Sequence, residues 1–69
     1  MPFCNIRIVK EVIAADPVGK KAAIAKAVTD AIRAQTGVGE DDVWVVFEEV
    51  AARDWYVGKT SVEMRRGAK

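Results

Sequence analysis

The chain has 69 residues, with 11 basic and 10 acidic side chains for a net charge of +1, one cysteine and no histidine. That length holds one domain, residues 1–69, with a modest core, while the lone Cys4 excludes an intrachain disulfide and the missing histidine removes the familiar metal-ligand clusters. The balanced charge lacks the footprint of a nucleic-acid binder, and no signal-peptide layout or bilayer-length apolar run is present.

Those exclusions leave a cytoplasmic protein as the expectation, with no nucleic-acid or membrane partner and no metal or cofactor. A chain this small, without a staple, gains its missing buried area by oligomerisation.

Pro2 stands directly before FCNIRIV, residues 3 to 9, whose alternation predicts a β-strand. Proline cannot donate a ladder hydrogen bond, and the start of a strand is one of the few places that tolerates it. Cys4, Ile6 and Ile8 share an apolar face able to accept a helix. Phe3, Asn5, Arg7 and Val9 form a mixed face suited to another subunit or a pocket.

Asp16-Pro17 reads as a helix start, with a capping carboxylate followed by a φ already near the helical value. Alanine-rich sequence then runs to Gln35, with Ile24, Val28, Ala31 and Ile32 spaced for an apolar stripe and Lys26, Asp30 and Arg33 for a solvated one. Gly37, after Thr36, supplies the stop. VWVVFEEV, residues 43 to 50, is β-branched and aromatic and predicts a second strand, with Val43, Val45 and Phe47 on one face and Trp44, Val46 and Glu48 on the other.

Strand, long helix and strand make an α/β (α+β) unit of β-α-β type with parallel strands. Two strands do not form a stable sheet alone, so a second subunit is expected to extend it. From Asp54 the tail DWYVGKTSVEMRRGAK reads as a C-terminal hairpin turning at Gly58, too short for a second helix of normal length. Arg65 and Arg66 fall in this solvated tail. Glu48 and Glu49 read as ion-pair partners, since nothing nearby raises their pKa.

Pro2 at a strand start, the helix over 17–35, the strand VWVVFEE and the segment WYVGK follow one another in an order that resembles the 4-oxalocrotonate tautomerase family. The resemblance covers most of the chain. It implies that Pro2 is the catalytic acid-base group, freed as a secondary amine once Met1 is removed. It also implies a dimer with a four-stranded sheet, and a homohexamer built as a trimer of dimers. The implied substrate is a small enol or 2-keto acid.

An α-amino group titrates near 7.7–8.0 in isolation, and apolar surroundings disfavour its charged form. Phe3, Val9, Trp44 and Trp55 are the apolar groups expected around Pro2. Arg7 and Lys10 are the candidate cations for substrate: Lys10, or Lys20 or Lys21 by another route, stands in for the family arginine missing after the first strand, with a solvated strand-end lysine as the alternative for Lys10; Arg7 lies on the face away from the helix and has the alternatives of pairing with Glu48 or Glu49, or stacking on Trp44. The substrate-binding set is therefore Arg7, Val9, Lys10, Trp44 and Trp55.

Two departures from the family pattern bear on chemistry. Its arginine after the first strand is absent, KEV standing there, and its second-strand arginine aligns with Trp44, which removes the expected group for polarising a substrate carbonyl. Val57 occupies the position of the carboxylate that hydrating and dehalogenating relatives use. A hydratase or dehalogenase of unsaturated acids on the same fold, and a non-catalytic assembly subunit, are the alternatives. A ribbon-helix-helix DNA binder fails because the second half is strand-like where a helix is required.

Overall fold

The structure, a computed structural model, describes residues 2–67. Strand β1 spans Phe3–Val9 and strand β2 spans Trp44–Val50, paired in parallel with Phe3 opposite Trp44 and Val9 opposite Val50. Helix α1, Pro17–Thr36, connects them. A short hairpin of β3, Tyr56–Val57, and β4, Thr60–Ser61, follows, antiparallel and separate from the first sheet, and helix α2, Val62–Gly67, closes the described chain.

Helix α1 begins where its sequence chemistry says it must. The Asp16 carboxylate accepts from the Gly19 N–H at 3.1 Å, Pro17 takes the first helical position, and the missing side chain of Gly19 leaves the carboxylate room to fold over the first turn. Such a cap stabilises a helix by about 1 kcal/mol. At the other end Gly37 adopts the left-handed conformation, φ 75°, and its N–H donates to the Arg33 carbonyl at 2.8 Å. The Arg33 side chain reaches past this turn, donating to the Val38 carbonyl at 3.2 Å and pairing with Glu40 at 3.6 Å.

The helix lies on the Cys4, Ile6, Ile8, Val45 and Phe47 face of the sheet. These five are half-buried, as are Ile24, Val28 and Ile32 on the helix, and Lys21 pairs with Glu49 on the same sheet face. Ala31, expected in the apolar stripe, is exposed instead, and Ala25 and Thr29 take the half-buried positions.

Two short 3-10 turns at the far end of the strands tie the molecule together. Lys10–Ile13 follows β1 and Ala52–Asp54 follows β2, and they contribute the two buried apolar residues, Ile13 and Ala52, each 3% exposed. The Ala52 N–H donates to the Glu11 carboxylate at 2.8 Å, joining the two turns.

The tail is a hairpin, as read from Gly58, which turns at φ 64°, but it does not end as one. Val62–Gly67 is helical for six residues because the buried Ser61 hydroxyl accepts from the Met64 N–H at 3.2 Å and the Val62 N–H bonds the Trp55 carbonyl at 2.7 Å. These bonds satisfy amides that a hairpin extension would leave to solvent.

Among the described residues no large side chain is fully buried, and the sheet face away from α1 is open, with Phe3, Trp44 and Val46 exposed by 62, 52 and 40%. The radius of gyration is 14.9 Å, against roughly 11 Å for a compact chain of this length. The accessible surface is 5117 Å², against about 4,200 Å² for a folded monomer of this mass. The chain is thus more extended, and more exposed, than a compact monomer of its size.

Candidate active site

Pro2 sits half-buried immediately before β1, and its carbonyl accepts the Trp44 N–H at 3.0 Å. That bond is the first rung of the parallel ladder, so proline's missing N–H costs nothing on the side that faces β2. Phe3 and Trp44 are direct partners across the ladder and project from the open face, where neighbouring strands stand about 4.8 Å apart. Pro2 therefore lies at the N-terminal end of the strand pair, next to these two aromatics in sequence and across the ladder.

Along the same face the character changes within two residues. Asn5 is opposite Val46, and Arg7 is opposite Glu48, whose carboxylate accepts from the guanidinium at 3.2 Å. This bond to Arg7, followed by one from Asn5, holds the Glu48 carboxyl below its ordinary value. Arg7 thus has the Glu48 partner that the sequence allowed, with both side chains about half exposed. Glu49 points to the other face and pairs with Lys21.

The remaining sequence-predicted residues gather elsewhere. Val9 ends β1, Lys10 opens the following 3-10 turn, and Trp55 follows Ala52–Asp54, with its N–H bonded to the Ala52 carbonyl at 3.3 Å. Because Glu11 and Ala52 are bonded, Lys10 and Trp55 flank one junction at the C-terminal end of the strand pair. Pro2 and Trp44 are at the N-terminal end, roughly 20 Å away at strand spacing. A single chain brings together Pro2, Phe3 and Trp44, and separately Val9, Lys10 and Trp55. It does not bring the two groups together.

Glu11 is the residue that sequence reading passed over. Its carboxyl is held below the ordinary value, first by the Ala52 amide, then by its own backbone N–H and by the charges of Lys10 and Arg66, against a smaller desolvation effect. No spacing rule finds it, since its partner is a backbone amide 41 residues away.

A depression of about 500 Å³ opens beside α1, lined by Ala22, Ala25, Lys26, Thr29, Asp30 and Glu40, and none of the sequence-predicted site residues reaches it. Lys26 there is held above its ordinary pKa by its bond to Asp30 at 2.7 Å. Among the described residues no three His, Cys, Asp or Glu side chains converge as a metal site would need, and no helix is long and apolar enough to cross a membrane.

Comparison with known proteins adds one finding. The model of a family described as "Tautomerase enzyme" matches residues 2–65. No curated protein matches the chain, and no solved structure does.

Proposed function

Since the chain belongs to the tautomerase enzyme family, we propose that it is a small oligomeric isomerase that moves a proton within an enol or 2-keto acid, using Pro2 as general acid and base. The observation that supports this reading best is the setting of Pro2. It lies half-buried at the mouth of β1, fastened to the Trp44 backbone, beside the exposed rings of Phe3 and Trp44.

The chemistry follows from a free proline nitrogen. Met1 lies outside the described residues; with it removed, Pro2 carries a secondary amine. When a partner chain covers the aromatic end, desolvation disfavours the ammonium form, and a fall of one unit, about 1.4 kcal/mol, leaves the amine largely neutral at pH 7. The nitrogen takes a proton from the enol hydroxyl or from an activated carbon, and returns it to another carbon of the same conjugated system. Nothing is consumed, and the electron pair shifts along the substrate.

The separation of the two residue groups supports a site completed between subunits. In this reading Pro2, Phe3 and Trp44 of one chain face Val9, Lys10 and Trp55 of another, in a homohexamer assembled as a trimer of dimers. Lys10 holds a substrate carboxylate, the tryptophans wall the hydrocarbon, and Arg7 orders the shared face through Glu48. With Trp44 in place of a cation, a monocarboxylate or aromatic enol suits the site better than a dicarboxylate. Val57 offers no carboxylate to activate water, which favours isomerisation over hydration.

The test is intact mass together with turnover of an aryl enolpyruvate by wild type and Pro2→Ala. The wild type should lack Met1, and Pro2→Ala should lose on the order of 10²–10⁴ in kcat, the range of a general acid-base group. Unchanged kcat in Pro2→Ala would refute the proline mechanism and favour a non-catalytic assembly subunit.

A further inference from the structure

We propose that Glu11 is a positioning residue for this site: its carboxylate, by holding the Ala52 amide, fixes Lys10 and Trp55 in one geometry. The proposal rests on the tautomerase reading above and adds a residue to it.

The Ala52 amide needs this partner. Ala52 is 3% exposed and opens the Ala52–Asp54 turn, where a helical turn leaves its leading N–H groups without internal acceptors. Ala51 before it makes no side-chain capping bond, and the acceptor arrives instead from Glu11 on the other strand's exit, at 2.8 Å. A bond from an amide to a carboxylate is short and about twice as strong as a neutral one. A buried amide stripped of it is left unsatisfied.

What the bond connects gives it a role in binding. Lys10 is the residue before Glu11, so the carboxylate's anchorage fixes the backbone that carries the ammonium stem. Trp55 is one turn beyond Ala52, and that turn is closed by the Trp55 N–H on the Ala52 carbonyl. The Trp55 carbonyl in turn receives the Val62 N–H at 2.7 Å, which fastens α2 to the same junction. Two strand exits that share no ladder rung beyond Val9 and Val50 are held in register by one side chain. Losing it separates the carboxylate-binding cation from the aromatic wall, while Pro2, at the opposite end of the strands, keeps its surroundings.

The bond can be deleted from either side. Glu11→Ala removes the acceptor; Ala52→Pro removes the donor at a first-turn position where proline's φ is acceptable. With the aryl enolpyruvate as probe, each variant should raise KM about tenfold, leave kcat within about twofold, and add nothing to the other, since together they delete one bond. Glu11→Gln keeps an oxygen acceptor and should return KM to within about threefold of wild type. In a Trp55→Ala background, Glu11→Ala should raise KM by clearly less than its tenfold in the wild type, because one of the two groups it positions is already gone and only the displacement of Lys10 remains.

Unmoved KM in both single variants would overturn the proposal, as would full additivity with Trp55→Ala, which marks a general structural loss. If Glu11→Ala does not assemble, Ala52→Pro carries the same comparison. Pro2→Ala separates the two readings. A collapsed kcat there with unmoved KM in the Glu11 and Ala52 variants refutes the positioning role alone, whereas an unchanged kcat there refutes the proline mechanism and leaves the KM cycle as a test of binding geometry.

Discussion

Trp44→Ala is expected to loosen the assembly by an amount that follows from its exposure. Trp44 is 52% exposed in the single chain, and a tryptophan offers about 250 Å² to burial, so roughly 130 Å² of ring remains for a partner to cover. At about 25 cal/mol per Å² this is ~3 kcal/mol per subunit, or about a hundredfold in the dissociation constant of that contact. The whole chain exposes about 900 Å² more than a monomer of its mass should, close to the ~800 Å² that each partner contributes to a standard interface. Trp44 would then supply a central share of it. Sedimentation velocity over a dilution series reads the midpoint directly. Val18→Ala, on an 81% exposed side chain of the first helical turn, is the control and should leave the midpoint alone. An unmoved midpoint in Trp44→Ala, or an equal shift in Val18→Ala, would refute the claim that the open sheet face is the contact.

Removing the Arg7 guanidinium should destabilise the chain in a pH-dependent way. Because the folded Glu48 carboxyl titrates below its unfolded value, its stabilisation is present above the ordinary carboxylate range and disappears as pH falls through the lowered folded value. Thermal melts of wild type and Arg7→Ala should differ near neutrality and converge in acid once the pH has fallen below the lowered Glu48 value, with added salt narrowing the gap. A gap that persists unchanged in acid would mean that Arg7 acts by packing alone. Gly37→Ala forces a side chain into φ 75° and should cost about 1–2 kcal/mol, lowering Tm by roughly 5–10 °C. Gly39→Ala, at φ −71°, should leave Tm nearly unchanged.

The elements were legible wherever local chemistry and tertiary packing agreed. Alternation placed β1 over 3–9, the Asp16-Pro17 cap and Gly37 bracketed α1, and the β-branched run gave β2, which starts at Trp44, one residue later than the pattern predicts, because Val43 closes the preceding turn with an N–H to the Glu40 carbonyl. Helix α2 was not legible. Its formation depends on Ser61 being buried, so that its hydroxyl is available to Met64 and not to water, and burial of Ser61 is a tertiary event. The proposed site was half legible for a related reason. Pro2 and Trp44 announce themselves by strand position, whereas Glu11 acts on a backbone amide, a partner with no residue type to recognise. The distance between the Pro2 end and the Trp55 end is likewise a property of strand length, and only the folded chain shows that one subunit keeps them apart.

The constant offset between β1 and β2 also bears on how the chain can fold. From Phe3 opposite Trp44 to Val9 opposite Val50, each rung joins residues 41 apart, so no rung is cheaper to close than another and none can start the sheet locally. Helix α1 shortens that gap, condensing 20 of the intervening residues into a rod of about 30 Å. Closing the parallel pairing is therefore expected to depend on that rod forming and docking. Substitutions that weaken α1 at Asp16 are therefore expected to slow folding, read by stopped-flow refolding rates.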